Sequence, residues 1–140
     1  MATWREFEHA APELAAAVRA RFEATEHHVL ATIRHDGAPR VSGTEVEFTE
    51  KDLKFGSMAD AVKVRDLQRD GRCALHANPG DGSMDGGDGK VSGVAVEIPV
   101  RDGNSFRLDI REAVHTTVDG DELVIRWWTP GNGLREIRRK

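Results

Sequence analysis

Only one cysteine, Cys73, occurs in the 140 residues, so no intrachain disulfide is available, and one thiol among six scattered histidines makes no zinc site of familiar spacing. Basic residues are not in excess either. Twenty Lys and Arg against 24 Asp and Glu leave a net charge of −4, which does not supply the positive surface that phosphate-backbone binding requires. No nucleic acid is therefore expected as a main partner. Long apolar runs are also missing: hydrophobic residues are 39% of the chain and fall in short groups, none of them long enough for a membrane span or a signal-peptide core. The expectation is a soluble, cytoplasmic protein with no membrane association. No internal repeat is evident, and no Ser-His-Asp, Cys-His or paired-carboxylate arrangement stands out. At this length the chain has the size of a single domain, residues 1–140, with room for one core.

What is present is a pattern of short apolar segments. Leu14, Val18 and Phe22 recur four residues apart behind Pro12, which predicts an amphipathic helix over Ala11 to Thr25. From His28 the period shortens to two. Val29, Ala31 and Ile33 alternate with Leu30, Thr32 and Arg34; His35 to Pro39 supplies turn chemistry around Asp36-Gly37; and Val41 to Phe48 resumes an extended pattern, so a hairpin is expected. A third strand over Leu53 to Gly56 leads to a helix ending near Arg69, with Ser57 or Asp60 as candidate caps. Cys73 to Ala77 and Val91 to Val100 read as strands, the second with Val94, Val96 and Ile98 on one side and Ala95 and Glu97 on the other. The Gly- and Asp-rich segment between them, Asn78 to Gly89, reads as a mobile loop. Phe106 to Val118 and Leu123 to Trp128 form a second hairpin pattern, placing Val114, Thr116 and Val118 opposite Leu123, Ile125 and Trp127. After Pro130-Gly131, the tail from Leu134 either pairs briefly or hangs free. Six or seven closely spaced strands with two helices imply a mainly β protein, a small antiparallel barrel with helices against its openings.

Several polar groups have plain structural readings. His27 and His28, adjacent on a strand, point to opposite faces and do not chelate as a pair; Asp81, Asp85 and Asp88 lack the ligand alternation of a calcium loop, and no metal is expected. Cys73 reads as a small buried hydrophobe. Trp127 and Trp128 also point to opposite faces, so one belongs to the core and the other to the surface or an interface.

The run His28 to Ser42, followed by Leu53-Lys54-Phe55-Gly56-Ser57-Met58 and by Lys63-Val64-Arg65-Asp66-Leu67 up to Arg72, resembles the pyridoxamine 5'-phosphate oxidase-like, flavin-binding split-barrel family. The likeness is to its short members that use FMN or the deazaflavin F420. The resemblance implies an antiparallel split β-barrel, a homodimer with a cofactor groove at the subunit interface, and hydride or electron transfer to a small-molecule substrate. Carried over residue by residue, it implies Lys63 as phosphate ligand with Ser57, Met58 and Val62 beside it, and Ser42 and Thr44 as donors near the ring or ribityl chain. Trp127, or else Trp128, would flank the ring system or a substrate. Val62 stands where longer oxidases of the family have an arginine, and Ser42 where they have another, so the positive charge around a phosphate is reduced. The alternative is a non-catalytic split-barrel module that binds or senses a flavin, haem or other planar ligand.

Overall fold

A computed structural model describes residues 1–140. Two helices open the chain. The helix α1 (Trp4–Ala10) is fixed by a capping box: Glu6 N–H donates to Thr3 Oγ1 at 3.1 Å, and Thr3 N–H donates to the Glu6 carboxylate at 2.9 Å. It sets Trp4 and Phe7 in the core. The helix α2 (Pro12–Glu23) begins at its proline and buries Leu14, Ala15, Val18 and Phe22, the face expected from the sequence, but stops short of Thr25.

The rest is one antiparallel sheet of nine strands. In chain order these are β1 (His28–Ile33), β2 (Pro39–Thr44), β3 (Val46–Phe48), β4 (Leu53–Ser57), β5 (Arg72–His76), β6 (Asp88–Ile98), β7 (Asn104–Asp119), β8 (Glu122–Thr129) and β9 (Gly133–Arg139), with α3 (Val62–Arg69) between β4 and β5. Both expected hairpins are present. In the second, Val114, Thr116 and Val118 lie opposite Trp127, Ile125 and Leu123.

The strand β7 makes the barrel a split one. It pairs with β6 nearly throughout; on its other side it pairs with β4 from Asn104 to Arg107 and with β8 from Ala113 onward, so the sheet forks there. A register shift between Ser92 and Gly93 eases that long ribbon past the fork. A Cβ at Gly93 would overlap the Asp109 carbonyl oxygen. Only Glu45 separates β2 from β3, so the two ends of the sheet meet. Inside lie Leu30, Phe55, Leu75, Phe106 and Leu108, with α1 and α2 stopping one end. There Phe7 stacks 5.0 Å from Trp128 and Trp4 meets Phe48 edge-on at 4.7 Å.

Three expectations need correction. The strand count is nine rather than six or seven, because the pattern over Val41 to Phe48 breaks at Glu45 and the tail forms the full strand β9 against β8. Neither Ser57 nor Asp60 caps α3: Ser57 still belongs to β4, Asp60 is left-handed at φ 66°, and the cap position is Ala61, without a side-chain bond. On β6 the expected alternation is kept, with Val91, Gly93 and Ala95 on the buried side and Val94, Val96 and Ile98 on the other. The segment Asn78 to Gly89 is tied at both ends. Asn78 N–H donates to His28 Nδ1 at 3.0 Å, the Asp85 carbonyl accepts from Arg21 at 2.9 Å, and the Gly86 carbonyl lies 2.7 Å from His115 Nε2.

Candidate functional site

Where β4 ends and α3 begins, a narrow crevice, too tight in this structure to admit a water molecule, is lined by Gly56, Ser57, Lys63 and the apolar side chains Leu30, Val64 and Phe106. It brings together Ser57 and Lys63, the pair expected to hold a phosphate. Lys63 crosses from α3 to β2, where its ammonium donates to the Gly43 carbonyl at 2.7 Å. It has no carboxylate partner, and burial holds its pKa below the ordinary lysine value. A half-buried ammonium without a carboxylate partner gains from any anion that reaches it.

Ser42 stands opposite Leu30 across the β1–β2 pair, on the crevice side. Thr44 is on the same face of β2 but buried, with its hydroxyl donating to the Glu45 carbonyl at 3.3 Å. The hydroxyls of Ser42 and Ser57 are engaged by no protein group. Met58 and Val62 flank the site as exposed side chains. Trp127 is not part of the crevice. It sits on the outer face of β8, opposite Val114 and Arg135, whereas Trp128 turns into the core.

Two basic side chains near Lys63, Arg40 and Arg69, are already paired. Asp66, its side chain only 3% exposed, accepts from Arg40 at 2.7 Å, from Thr32 at 2.8 Å and from Arg69 at 3.0 Å. Burial alone would raise the Asp66 pKa; the hydrogen bonds of Arg40, Thr32 and Arg69 outweigh it and hold the carboxyl below its usual range. Arg69 also donates to the Ile33 carbonyl at 3.0 Å. The cluster pins α3 to the first hairpin and thereby aims Lys63 at Gly43. Sequence reasoning missed Asp66, which among Arg65, Gln68 and Arg69 reads as one more charge on a solvated face.

The remaining candidates fall as their chemistry dictates. His28 turns inward and His27 outward, toward Glu45 at 3.7 Å. Cys73 is buried, and desolvation pushes its thiol pKa up to about 12, which leaves no thiolate for nucleophilic chemistry. No helix is long and apolar enough to cross a membrane.

No protein-family model and no curated protein matches this sequence. Solved structures do match. An FMN-binding protein from Nostoc punctiforme, related to pyridoxamine 5'-phosphate oxidase, superposes with a TM-score of 0.69 at 11% identity, over 93% of this chain and 96% of that one. PhzG from Burkholderia lata 383, in complex with tetrahydrophenazine-1-carboxylic acid, gives 0.68 at 15% identity, over 92% and 89%. A heme-binding protein from Mycobacterium smegmatis gives 0.55 at 15%, over 88% and 87%. The fold is that of the pyridoxamine 5'-phosphate oxidase-like split barrels.

Proposed function

We propose that this protein binds a phosphate-bearing flavin or deazaflavin, FMN or F420, and works as an oxidoreductase on a small molecule. The observation that carries the reading is the unpaired Lys63 ammonium in one crevice with the free hydroxyl of Ser57. These residues suit a phosphate: a charge-assisted donor, a neutral donor, and Ser42 close by. The bound ring supplies the hydride or electron chemistry. The chain's own part is to hold the phosphate at Lys63 and Ser57, offer hydroxyls to the polar chain beyond it, and keep one face of the ring from water.

The reading includes a homodimer whose two copies complete the site, with Trp127 of one copy flanking the ring held by the other. Outer-face exposure of Val29, Val41 and Ile137 supports it. The second reading is a module that binds a flavin, haem or other planar ligand without turnover. It is favoured by an apolar groove on the outer face, apart from the crevice. Fluorescence titration of the purified protein with FMN and separately with F420 tests the first reading, which expects saturable micromolar binding of one of them. Binding of neither overturns it. A loaded protein that takes a hydride from reduced nicotinamide, or passes one from F420 to an acceptor, overturns the second.

A further inference from the structure

The β1–β2 ladder ends with His28 opposite Thr44. The next residues out, His27 and Glu45, come side by side, with the imidazole Nδ1 3.7 Å from the Glu45 carboxylate. Glu26 joins them because the chain bends at that residue between α2 and β1; in a straight strand its side chain would point to the opposite face from His27. One ring nitrogen and two carboxylate oxygens then lie within 4.8 Å of one another, the one such convergence of metal-ligand side chains in the chain. The backbone is held on both sides. The His27 carbonyl accepts from Asn78 Nδ2 at 3.3 Å, and the Glu45 carbonyl accepts from the Thr44 hydroxyl at 3.3 Å. His28 turns inward and takes no part.

The three side chains are not committed to protein donors. The 3.7 Å between His27 and Glu45 is longer than a hydrogen bond, and no Lys or Arg pairs with either carboxylate. A tetrahedral ion with bonds of ~2.1 Å has its ligands ~3.4 Å apart, so these exposed groups close on an ion by side-chain rotation. The donor set decides its class. Oxygen-only shells suit calcium and magnesium, whereas an imidazole nitrogen with two carboxylates suits zinc and its first-row neighbours and neutralises a dication.

A separate observation points to a ligand at the same place. Glu45 also lines a polar groove of about 380 Å³ over β3, β4 and β7, shared with Glu47, Lys54, Gly56 and Ser105. Three protein ligands leave a coordination position open for water or a ligand oxygen, and the groove gives that oxygen room beside Glu45. We propose that Glu26, His27 and Glu45 form a three-ligand site for a first-row divalent cation of the zinc type. The inference goes beyond the flavin reading and uses none of the residues assigned to the phosphate or the ring.

Calorimetric titration of the untagged, chelator-treated full chain with Zn²⁺, and separately with Ca²⁺, tests it. The expected result is one Zn²⁺ per chain at micromolar or tighter affinity, with Ca²⁺ at least tenfold weaker. His27→Ala, Glu26→Gln and Glu45→Gln are each expected to weaken Zn²⁺ at least tenfold with an unchanged urea midpoint, because all three side chains are exposed. His35→Ala, at an exposed histidine in the β1–β2 turn, is expected to bind as the wild type does. With Co²⁺ as the probe, the visible absorption of a nitrogen- and oxygen-ligated ion is expected in the wild type and lost in His27→Ala, which separates lost ligation from lost folding. Zn²⁺ binding that is the same in the wild type and all three variants marks an adventitious ion only and overturns the proposal. Absence of saturable Zn²⁺ binding to the wild type overturns it too, including the case in which a second copy of the chain covers the trio.

Discussion

Lys63 and Asp66 sit three residues apart on α3 and divide the polar work between them. The ammonium of Lys63 contacts only the Gly43 carbonyl, so removing it takes away a donor to an incoming anion and little internal structure. Lys63→Ala is expected to weaken FMN by about 10- to 100-fold, the ~1.5–3 kcal/mol of a hydrogen bond to a charged group, and to leave riboflavin, which lacks the phosphate, nearly unchanged. Parallel fluorescence titrations decide it, and equal weakening of both ligands removes Lys63 from the phosphate site. Asp66 works internally. With its side chain 3% exposed and three donors converging on it, Asp66→Ala strands Arg40 beside β1 and is expected to destabilise the fold by about 3 kcal/mol, read from the urea midpoint. A loss below about 1 kcal/mol would mean that the cluster is merely solvated charge. The two residues differ in legibility for the same reason. Lys63 was found through a motif that names it, whereas the burial of Asp66 exists only once the first hairpin is folded over α3.

Among the elements, the segment from Asn78 to Gly87 depends most on protonation. His28 accepts from Asn78 N–H and must leave Nδ1 bare to do so, while His115 Nε2 donates to the Gly86 carbonyl. Desolvation lowers the pKa of both; for His28, ring contacts to the Phe22 and Thr25 carbonyls oppose the shift and His27 adds to it, and for His115, the Gly86 carbonyl and Asp88 oppose it while Arg126 and Arg21 add to it. Because the folded-state values lie below the ordinary 6.5, the unfolded chain binds protons first. The stabilisation is complete above that pH and is lost as pH falls from there through the lowered folded-state values. Hydrogen-exchange protection factors at the amides of Asn78 and Gly87, referred to the intrinsic rate at each pH, should therefore fall between pH 7.5 and pH 5, and His28→Gln should flatten the change at Asn78. Unchanged protection factors would disconnect the segment from both imidazoles. The sequence made a loop of this segment from its glycines and aspartates but held no sign of the anchors, which come from α2, β1 and β7. Register in the second hairpin was legible because a two-residue period leaves only one alignment that keeps both apolar faces together. The helix α1 escaped because seven residues show too little periodicity; its signal was the Thr3/Glu6 capping box. Ser57 misled as a cap since a hydroxyl after a strand reads the same whether the helix starts at once or, as here, at Val62.

For the whole molecule, the distribution of apolar side chains is the governing fact. The core behind the sheet is closed by α1 and α2, yet the opposite face leaves Val41 72% exposed, with Val29 and Ile137 each more than a third exposed. No helix of this chain covers that face, and an apolar surface of this kind on a split barrel calls for a second copy or a ligand. Val41→Glu distinguishes a face that joins copies from one that is simply wet. Val41 is open to solvent in the single chain, so a charge there alters folding stability by no more than about 0.5 kcal/mol, as at ordinary surface positions. In a dimer related by two-fold symmetry the same substitution enters the interface twice, and burying two unpaired carboxylates there is strongly unfavourable. Light scattering behind size exclusion is expected to give a dimer for the wild type and a monomer for Val41→Glu, with an unchanged urea midpoint for the monomeric fold. A wild-type monomer at micromolar concentration would instead leave each chain to hold its ligand alone, and Trp127, remote from Lys63 within one chain, would drop out of the cofactor site.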